Sequence, residues 1–488
     1  MTDSRQDEAV ATPRAEQTFV WTRRHTLMLA VVAAAHILDT IDIAIVNVAL
    51  PQMKASLGFS EAGLSWVVNG YLVAFGGFLL LCGRAGDILG KRRVLLIGLA
   101  LFTVASLAAG LATDATTLVV MRGVQGAGAA LISPMTLALL ATIFPDGPRA
   151  KAIAIWGMIS GVSGVVGLIL GGLLTTGPGW RWIFLINVPV TIAVIVGAVV
   201  WLERDPANTR RRPFDLLGAI IATAGMTLVV LGIVQASQAG WGAASTIVPL
   251  VIGVVLLGYL VLHEGRVAKD PLLPLSLFKI PTVTGANATQ ALVGSGMFVL
   301  FYIATLYQQE VLHYNSLQTG LAYVPLSLVL MGFAKLTPKL VGTYGVRAVV
   351  LVGAIIAAVG MGLLAFAGTD GSFLVNILGP TIVIGVGMAL TFLPLSLAAV
   401  TGVPADGRGV ASGLINVSRI TGGALGLSIV AAFAAGYTKQ KLESGTSAAI
   451  ALTDGFRIAF IVGAVLLALA AFTALLLPRK PAGAAAKG

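Results

Sequence analysis

Two aspartates, Asp39 and Asp42, lie in the middle of the apolar stretch 27–50. A helix of about 20 residues, rising 1.5 Å per residue, crosses the roughly 30 Å hydrocarbon core of a bilayer. A carboxylate at that depth costs roughly 2.5–3.5 kcal/mol on insertion scales, and ionisable residues there mark functional sites. Three residues apart on a helix, the two side chains share a face. Two carboxyls so near each other resist being ionised at the same time. The pair predicts a group that binds and releases protons.

Arg122 is the basic residue that can act with these aspartates. If its helix begins at Thr116, Arg122 lies about 9 Å below the membrane face, and the two aspartates lie at about 12 and 8 Å from the same face. We therefore expect Arg122 to pair with one aspartate, and protonation of that aspartate to release the pair and favour another conformation. The alternative is a permanent structural ion pair.

The helices that position these residues belong to a polytopic membrane protein. Of 488 residues, 57% are hydrophobic and 10% charged, with a mean hydropathy of +0.95, whereas about 25% of a soluble domain is charged. The apolar segments predict an all-α fold with fourteen transmembrane helices. These spans lie at about 27–50, 62–82, 93–112, 116–144, 150–175, 181–202, 214–236, 245–263, 282–311, 317–340, 346–367, 372–400, 409–437 and 455–477.

The placement of basic residues predicts the orientation of these spans. The tails and the even-numbered connections hold 24 of the 31 Lys and Arg, the odd-numbered connections hold five, and two lie inside spans. By the positive-inside rule both termini are cytoplasmic, in a cytoplasmic (inner or plasma) membrane. The net charge of +11 is therefore an orientation signal, and nucleic-acid binding is not expected.

An internal repeat predicts the domain organisation. Gly90 and Arg92 recur as Gly345 and Arg347, each 255 positions later. Two related bundles of six helices, with the substrate site at their interface, are a transporter architecture. The predicted divisions are a disordered cytoplasmic tail at 1–26, an N-terminal bundle at 27–203, an inserted helix pair with cytoplasmic linkers at 204–270, a C-terminal bundle at 271–478 and a cytoplasmic tail at 479–488. The inserted pair could close the gap between bundles, or contact lipid or a partner.

Six motifs give the chain a family resemblance. The segments 83–92 (Gly83-x-x-x-Asp87-x-x-Gly90-Lys91-Arg92) and 118–130 (with Arg122-x-x-Gln125-Gly126-x-Gly128) resemble signatures of the major facilitator superfamily. The segments 42–51, 180–189, 306–314 and 416–423 are similar to signatures of its fourteen-span drug:proton antiporter branch. The resemblance implies that the matching aspartate is required for transport and that the matching arginine takes part in proton transfer.

The loop motif of Gly83, Asp87, Gly90, Lys91 and Arg92 is expected to act as a conformational latch. Glycines permit a tight turn, and Asp87 can lie against the positive N-terminal end of a neighbouring helix. In the family this loop latches the outward-facing state. The alternative, a charge cluster that only sets orientation, leaves Asp87 and the glycines unexplained.

A stripe of glycines marks the fifth span. Its members are Gly157, Gly161, Gly164, Gly167 and Gly171. Spacings of three and four residues place them on one face, where another helix can pack closely. The antiporter signature has a proline after Gly167, but Leu168 stands here, so the helix need not kink. Plain helix packing explains the stripe nearly as well as a coupling role.

Several further residues could line a central substrate cavity. The candidates are Asn47, Trp66, Tyr71, Phe301, Gln308, Glu310 and Arg419. Aromatic residues in spans more often serve packing or the interfacial belt. Arg419 could attract an anionic group, pair with an acid, or brace the bundle. His36, one turn before Asp39, could extend a proton path.

These features predict a proton-coupled secondary exporter, a drug:H⁺ antiporter that expels amphipathic compounds, cationic ones among them, by alternating access. Its partners would be a small-molecule substrate, protons and the lipid bilayer. We expect no cofactor, metal, ATP or enzymatic activity, because the sequence shows no phosphate-binding loop, metal-ligand cluster or nucleophile–base pair. The single cysteine, Cys82, also excludes a cysteine-based metal site. The alternatives are a dedicated exporter of one endogenous metabolite, antibiotic or lipid, and a non-transporting membrane sensor.

Overall fold

The computed structural model describes residues 21–145, 148–205, 215–268, 275–333, 336–369, 371–404 and 408–479. Every regular element in these residues is helical. The main helices are α1 (Arg23–Ile45), α2 (Trp66–Leu89), α3 (Lys91–Gly110), α4 (Ala115–Ile143), α5 (Pro148–Thr176), α6 (Asn187–Trp201), α7 (Leu216–Ala239), α8 (Ala244–Leu262), α9 (Pro281–Leu306), α10 (Val324–Phe333), α11 (Leu336–Leu364), α12 (Gly379–Val400), α13 (Arg408–Glu443) and α14 (Ala448–Thr473). Short helices or single turns lie at Asn47–Ala49, Leu50–Leu57, Glu61–Leu64, Trp182–Leu185, His263–Val267, Leu275–Lys279, Tyr307–Val311, Ser316–Ala322, Phe373–Leu378 and Ala474–Leu476.

The protein is a multi-pass membrane protein. Within the described residues, twelve helices are long and apolar enough to cross a bilayer, and two shorter apolar helices, Trp66–Leu79 and Ser163–Thr176, lie inside α2 and α5. The all-helical membrane fold predicted from the sequence is therefore confirmed in this coarser form. The count of fourteen spans stays a prediction.

One predicted boundary differs from the structure. Helix α1 begins at Arg23, because the Thr22 hydroxyl accepts the His25 N–H at 3.4 Å and caps it; residues 23–26 are thus helical, not part of a disordered tail. Helix α11 consists of two helical segments that meet at a kink at Gly345, which lies between the predicted spans 317–340 and 346–367.

The two glycines that the repeat relates have the same backbone geometry. Gly90 has φ +97° and ψ +137°, and Gly345 has φ +82° and ψ +159°. Positive φ at each position ends one helical segment and starts the next, as only glycine does without strain. Gly83 is not part of the turn, because α2 continues through it to Leu89. The shared geometry supports the predicted repeat, and the pseudo-symmetric arrangement of two bundles stays a prediction.

Helix packing divides into an early and a late group, which pack directly on each other through α2 and α13 and which α7 also contacts. Helices α2 and α3 pack on α4, and α1 packs on α4, α5 and α6; later, α9 packs on α13 and α14, and α11 on α12 and α14. Helix α7 packs on both α2 and α13, while α8 packs on α7 and leaves Val254 and Val255 more than 60% exposed. Helix α7 thus contacts both groups and α8 presents apolar surface outward, and the role of the inserted pair stays a prediction.

One set of contacts between the two helix groups lies at one end of the molecule. Helices alternate in direction, so one end (the terminal end) holds the start of α1 and the end of α14, and the other is the distal end. At the distal end, the Gln309 amide donates to the Val48 carbonyl at 2.9 Å, and Lys54 Nζ lies 2.7 Å from Glu310 Oε1. The backbone of Leu317 lies against Gly172. The distal end is therefore closed in this conformation.

Candidate functional site

Helix α4 carries Arg122 into the interior of the early helix group. The helix begins at Ala115 because the Asp114 carboxylate accepts the Thr117 N–H at 2.8 Å and its hydroxyl at 2.6 Å. These hydrogen bonds hold the pKa of Asp114 below its usual range. Two turns further on, the Arg122 side chain is only 1% exposed.

Arg122 forms the predicted ion pair, and its partner is Asp42. The distance from Arg122 Nη1 to Asp42 Oδ2 is 2.5 Å. The other carboxylate oxygen, Oδ1, accepts hydrogen bonds from Gln125 Nε2 at 2.7 Å and Asn187 Nδ2 at 3.0 Å. Ser106 Oγ lies within hydrogen-bond distance of both amides, at 2.7 and 3.3 Å. Helices α1, α3, α4 and α6 thus each contribute one or more members of this network.

The guanidinium has further partners that fix its position. Its Nε donates to the Val67 carbonyl at 3.0 Å and its Nη1 to Gln125 Oε1 at 2.7 Å. Its carbon lies 4.5 Å from the Tyr71 ring centroid and 5.8 Å from that of Phe184, within cation–π range. A buried ion pair needs this degree of hydrogen bonding to offset the loss of hydration.

The two aspartates do not share one environment, contrary to the prediction from their spacing. Residues three apart on a helix differ by about 60° in direction, since each residue turns it by about 100°. That difference places the Asp42 carboxylate in the network and the Asp39 carboxylate in a central cavity. Asp39 Oδ1 lies 3.2 Å from His36 Nδ1 and accepts the Thr40 hydroxyl at 3.4 Å. The His36 ring stacks on Trp156 with centroids 4.0 Å apart.

The central cavity has a volume of about 250 Å³ and lies between the early and late helix groups. One wall, from α1, the turn Asn47–Ala49 and α4, carries the polar residues His36, Asp39, Thr40, Asn47 and Ser133. The other wall, from α10 and α13, carries Ser327, Asn416 and Arg419. Large apolar side chains complete the lining: Phe75, Met297, Phe298, Phe301, Met388 and Phe392. An apolar cavity with a few convergent polar groups is the usual form of a small-molecule site.

Three of the seven predicted cavity residues line this cavity, namely Asn47, Phe301 and Arg419.

The other four predicted cavity residues lie elsewhere. Tyr71 is buried beneath the Arg122 guanidinium, and Trp66 is half-buried at the distal start of α2. Gln308 is fully buried near the distal end of α9. Glu310 pairs with Lys54 across the distal contact. Their aromatic and amide side chains serve packing, as burial inside a bundle favours.

The loop motif contacts the terminal ends of α4 and α6. Lys91 Nζ donates to Thr142 Oγ1 at 2.6 Å, and Arg92 donates to the Ala198 and Val199 carbonyls at 3.1 and 2.6 Å. The side chain of Asp87 lies outside the described part of the structure. The carboxylate that caps the start of α3 is Asp205, which accepts the Arg92 and Arg93 N–H groups at 3.1 Å each.

The glycines of α4 allow close helix contacts. A Cβ on Gly126 would overlap the backbone of Tyr71 in α2. A Cβ on Gly128 would press on the backbone of Phe102 in α3. With Gln125 in the Asp42 network, this motif holds three helices around the ion pair.

The glycine stripe of α5 divides between packing and cavity. Gly167 and Gly171 lie against the α1 backbone at Ile41 and Ile45. A Cβ atom added at Gly164 would have no neighbouring atom within 4 Å, and Gly164 lines the cavity. For Gly157 and Gly161, what lies beside each residue is outside the described structure.

Sequence reasoning did not single out several residues of these sites. Asn187 and Asn416 stood within the motif segments 180–189 and 416–423, so their polarity in apolar surroundings was an available signal. Lys54 and Asp205 carry no local signal, because their partners Glu310 and Arg92 are distant in the sequence. Ser106 meets Gln125 and Asn187 only through the packing of three different helices.

Comparisons with known proteins agree with this architecture. The model of the Major Facilitator Superfamily matches residues 32–427. In solved structures, the chain resembles a bacterial homolog of the human lysosomal transporter Spinster (TM-score 0.65, 17% identity, 94% of this chain and 97% of that chain). It also resembles a D-xylose-proton symporter (TM-score 0.64, 14% identity, 93% and 98%). At these identities the likeness shows the fold.

Relatives at higher identity are export and resistance proteins. The chain is 40% identical to the cephamycin export protein CmcT of Amycolatopsis lactamdurans, over 83% of this chain and 84% of that protein. It is 36% identical to the puromycin resistance protein pur8 of Streptomyces alboniger, over 90% and 89%. It is 34% identical to the multidrug resistance protein Stp of Mycobacterium tuberculosis (strain CDC 1551 / Oshkosh), over 83% and 74%. The chain belongs to the drug-efflux branch of the major facilitator superfamily and is a transporter of small molecules, not an enzyme.

Proposed function

We propose that this protein exports amphipathic compounds in exchange for protons. The observation that carries the proposal is the position of Asp39, a carboxylate beside His36 on the wall of the central cavity. A proton and the cationic group of a substrate would compete for this carboxylate, and such competition for one state is sufficient for coupling. The relatives named for drug export or resistance support an outward direction of transport.

The Asp42–Arg122 pair would serve as the conformational element. It lies next to the cavity on the same helix as Asp39, yet it is sealed by hydrogen bonds from three helices. Protonation of Asp42 would remove the charge that holds Arg122, Gln125 and Asn187 together and allow α1 to shift against α4 and α6. In this proposal Asp39 takes up the proton from the cavity, and the Asp42–Arg122 pair changes the protein between its two conformations.

The orientation follows from the distribution of basic residues. With both termini cytoplasmic, the terminal end would face the cytoplasm, and the closed distal end would face outward. The bundles at 27–203 and 271–478 would rock about the cavity, and the loop motif from Gly83 to Arg92 would hold the alternative, outward-facing state.

A pH-jump assay in proteoliposomes tests this function. Protein reconstituted in vesicles is given a proton gradient, and uptake of a panel of dyes and antibiotics is followed with and without an uncoupler. We expect uncoupler-sensitive transport in the wild type, none in Asp39→Asn and Asp42→Asn, and normal transport in Asp114→Asn, which keeps an N-capping side chain outside the site. Transport that persists after collapse of the gradient would contradict proton coupling, and transport of one compound alone would favour a dedicated exporter.

A further inference from the structure

Arg419 lines the central cavity, and no carboxylate of the described residues pairs with it. Its Nε and Nη2 donate to Asn416 Oδ1, one turn earlier on α13, at 3.2 and 2.8 Å. Among the described residues, its nitrogens have no carboxylate oxygen within 4.0 Å and no other hydrogen-bond acceptor. A charged guanidinium in an apolar, half-buried position raises the free energy of the folded protein unless an opposite charge or hydrogen-bond acceptors pair with it.

A purely structural role does not fit this geometry. Other arginines of the described structure hold helices together by donating to backbone carbonyls of neighbouring segments: Arg122 to Val67, Arg92 to Ala198 and Val199, Arg181 to Ala112, and Arg457 to Ala365. Arg419 makes no such bond among the described residues. The partner that the described part of the chain gives it, Asn416, is on the same helix and therefore orients the guanidinium without bracing another helix.

The opposite wall carries the complementary charge. Asp39 is close enough for electrostatic attraction to Arg419, yet the two are not within ion-pair distance. The cavity between them is lined by Phe298, Phe301 and other apolar side chains. One wall thus offers a carboxylate and the other a cation, with an apolar surface between them.

We propose that Arg419, oriented by Asn416, binds a carboxylate of the transported compound, so that the substrate class is a zwitterionic amphipath. A planar guanidinium matches a carboxylate with two parallel hydrogen bonds. The substrate's cationic group takes the place of the proton at Asp39, and its carboxylate remains on Arg419. This assignment rests on the proposed function for its site and deepens it by adding the anionic half of the substrate.

A matched pair of dyes isolates the carboxylate. Rhodamine 110 carries a free carboxylic acid, and rhodamine 123 is its methyl ester. Binding of both is measured by fluorescence anisotropy to wild-type protein and to Arg419→Gln and Arg419→Lys, in lipid nanodiscs without a proton gradient. We expect the wild type to bind the acid more tightly than the ester. Arg419→Gln should weaken binding of the acid by about tenfold or more, as loss of a charged hydrogen bond predicts, and change binding of the ester less than about twofold. Arg419→Lys should lie between, since it keeps the charge and loses the planar fork.

Ester binding by each variant serves as the control for folding. Equal weakening of both dyes by Arg419→Gln, or a wild type with no preference for the acid, including one that binds neither dye, overturns the proposal. Because binding is measured at equilibrium without a gradient, a preference for the acid can be found even if proton coupling fails. Conversely, proton-driven transport with no such preference leaves the proposed function standing and removes this inference.

Discussion

Two arginines show how a guanidinium can be accommodated inside a membrane bundle. Arg122 is 1% exposed and is neutralised by Asp42, with a backbone carbonyl, an amide and two aromatic rings around it. Arg419 is half-buried at a cavity and is held by one neutral amide. The charge of Arg122 is neutralised within the protein, whereas Arg419 keeps guanidinium N–H groups that can donate to another molecule. Substitutions at the two sites should therefore act on different properties.

Asp42→Asn should lower stability, because it leaves the Arg122 charge buried without its partner. Breaking a buried pair from one side costs about 3–5 kcal/mol, while replacing both members by neutral residues is often much less damaging. We therefore expect the apparent Tm of purified Asp42→Asn to fall, and that of Asp42→Asn with Arg122→Gln to recover most of the loss. Transport should remain absent in both.

Asp39→Asn is the matched control for this prediction. Its carboxylate lines a cavity and has no arginine within 4.0 Å among the described residues, so its apparent Tm should stay near that of the wild type. A loss of stability in Asp39→Asn as large as that in Asp42→Asn would contradict the separation of the two sites.

At the scale of elements, glycines set the distances between the helices that surround the ion pair. Gly126 brings α4 against the backbone of α2, and Gly128 brings it against α3. Gly167 and Gly171 do the same between α5 and α1. Arg122 can reach the Val67 carbonyl on α2 and the Asp42 carboxylate on α1 only because these helices lie so close.

Gly126→Ala should destabilise the protein, since its methyl group would overlap the Tyr71 backbone and force α2 and α4 apart. Overpacking of this kind typically costs about 1–3 kcal/mol, and we expect a lower apparent Tm in a thermal unfolding assay. Gly123→Ala on the same helix is the control, because its added methyl group would lie 3.7 Å from the nearest atom, the Gly70 carbonyl oxygen. Equal losses in the two variants would show that helix flexibility, not contact distance, explains the effect.

At the scale of the whole molecule, the conformation depends on contacts between the two helix groups at the distal end. Lys54 pairs with Glu61 in its own group and with Glu310 in the other. Only the second of these ion pairs crosses the interface, and it must break if the distal end opens.

Glu310→Gln should shift the population towards a conformation that is open at the distal end. Spin labels at Thr113→Cys and Ser447→Cys, in exposed connections of the two groups, would report a longer distance by double electron–electron resonance, in a Cys82→Ser background. Glu61→Gln keeps the pair that crosses the interface and should leave the distance distribution closer to the wild type. An unchanged distribution in Glu310→Gln would show that packing, such as that at Gly172, closes this end without the ion pair.

The membrane class, the helical fold, the family resemblance and the pairing of Arg122 with an aspartate could all be predicted from the sequence. These follow from local quantities: the length and apolarity of segments, motif spacing, and the depth of a residue along a helix of fixed rise. The turn glycines Gly90 and Gly345 were identified in the same way, because only glycine readily adopts positive φ.

Three features required the folded bundle: which aspartate Arg122 binds, which residues line the cavity, and which ones join the two helix groups. Asp39 and Asp42 differ in direction by about 60° around one helix. Only the packing of the neighbouring helices makes one direction face the cavity and the other the hydrogen-bond network of Arg122. Asn187 binds Ser106 and Asp42 across 81 and 145 positions of the chain, and Lys54 pairs with Glu310 across 256. Such contacts depend on how helices pack, and packing is set by the whole bundle and not by any one segment.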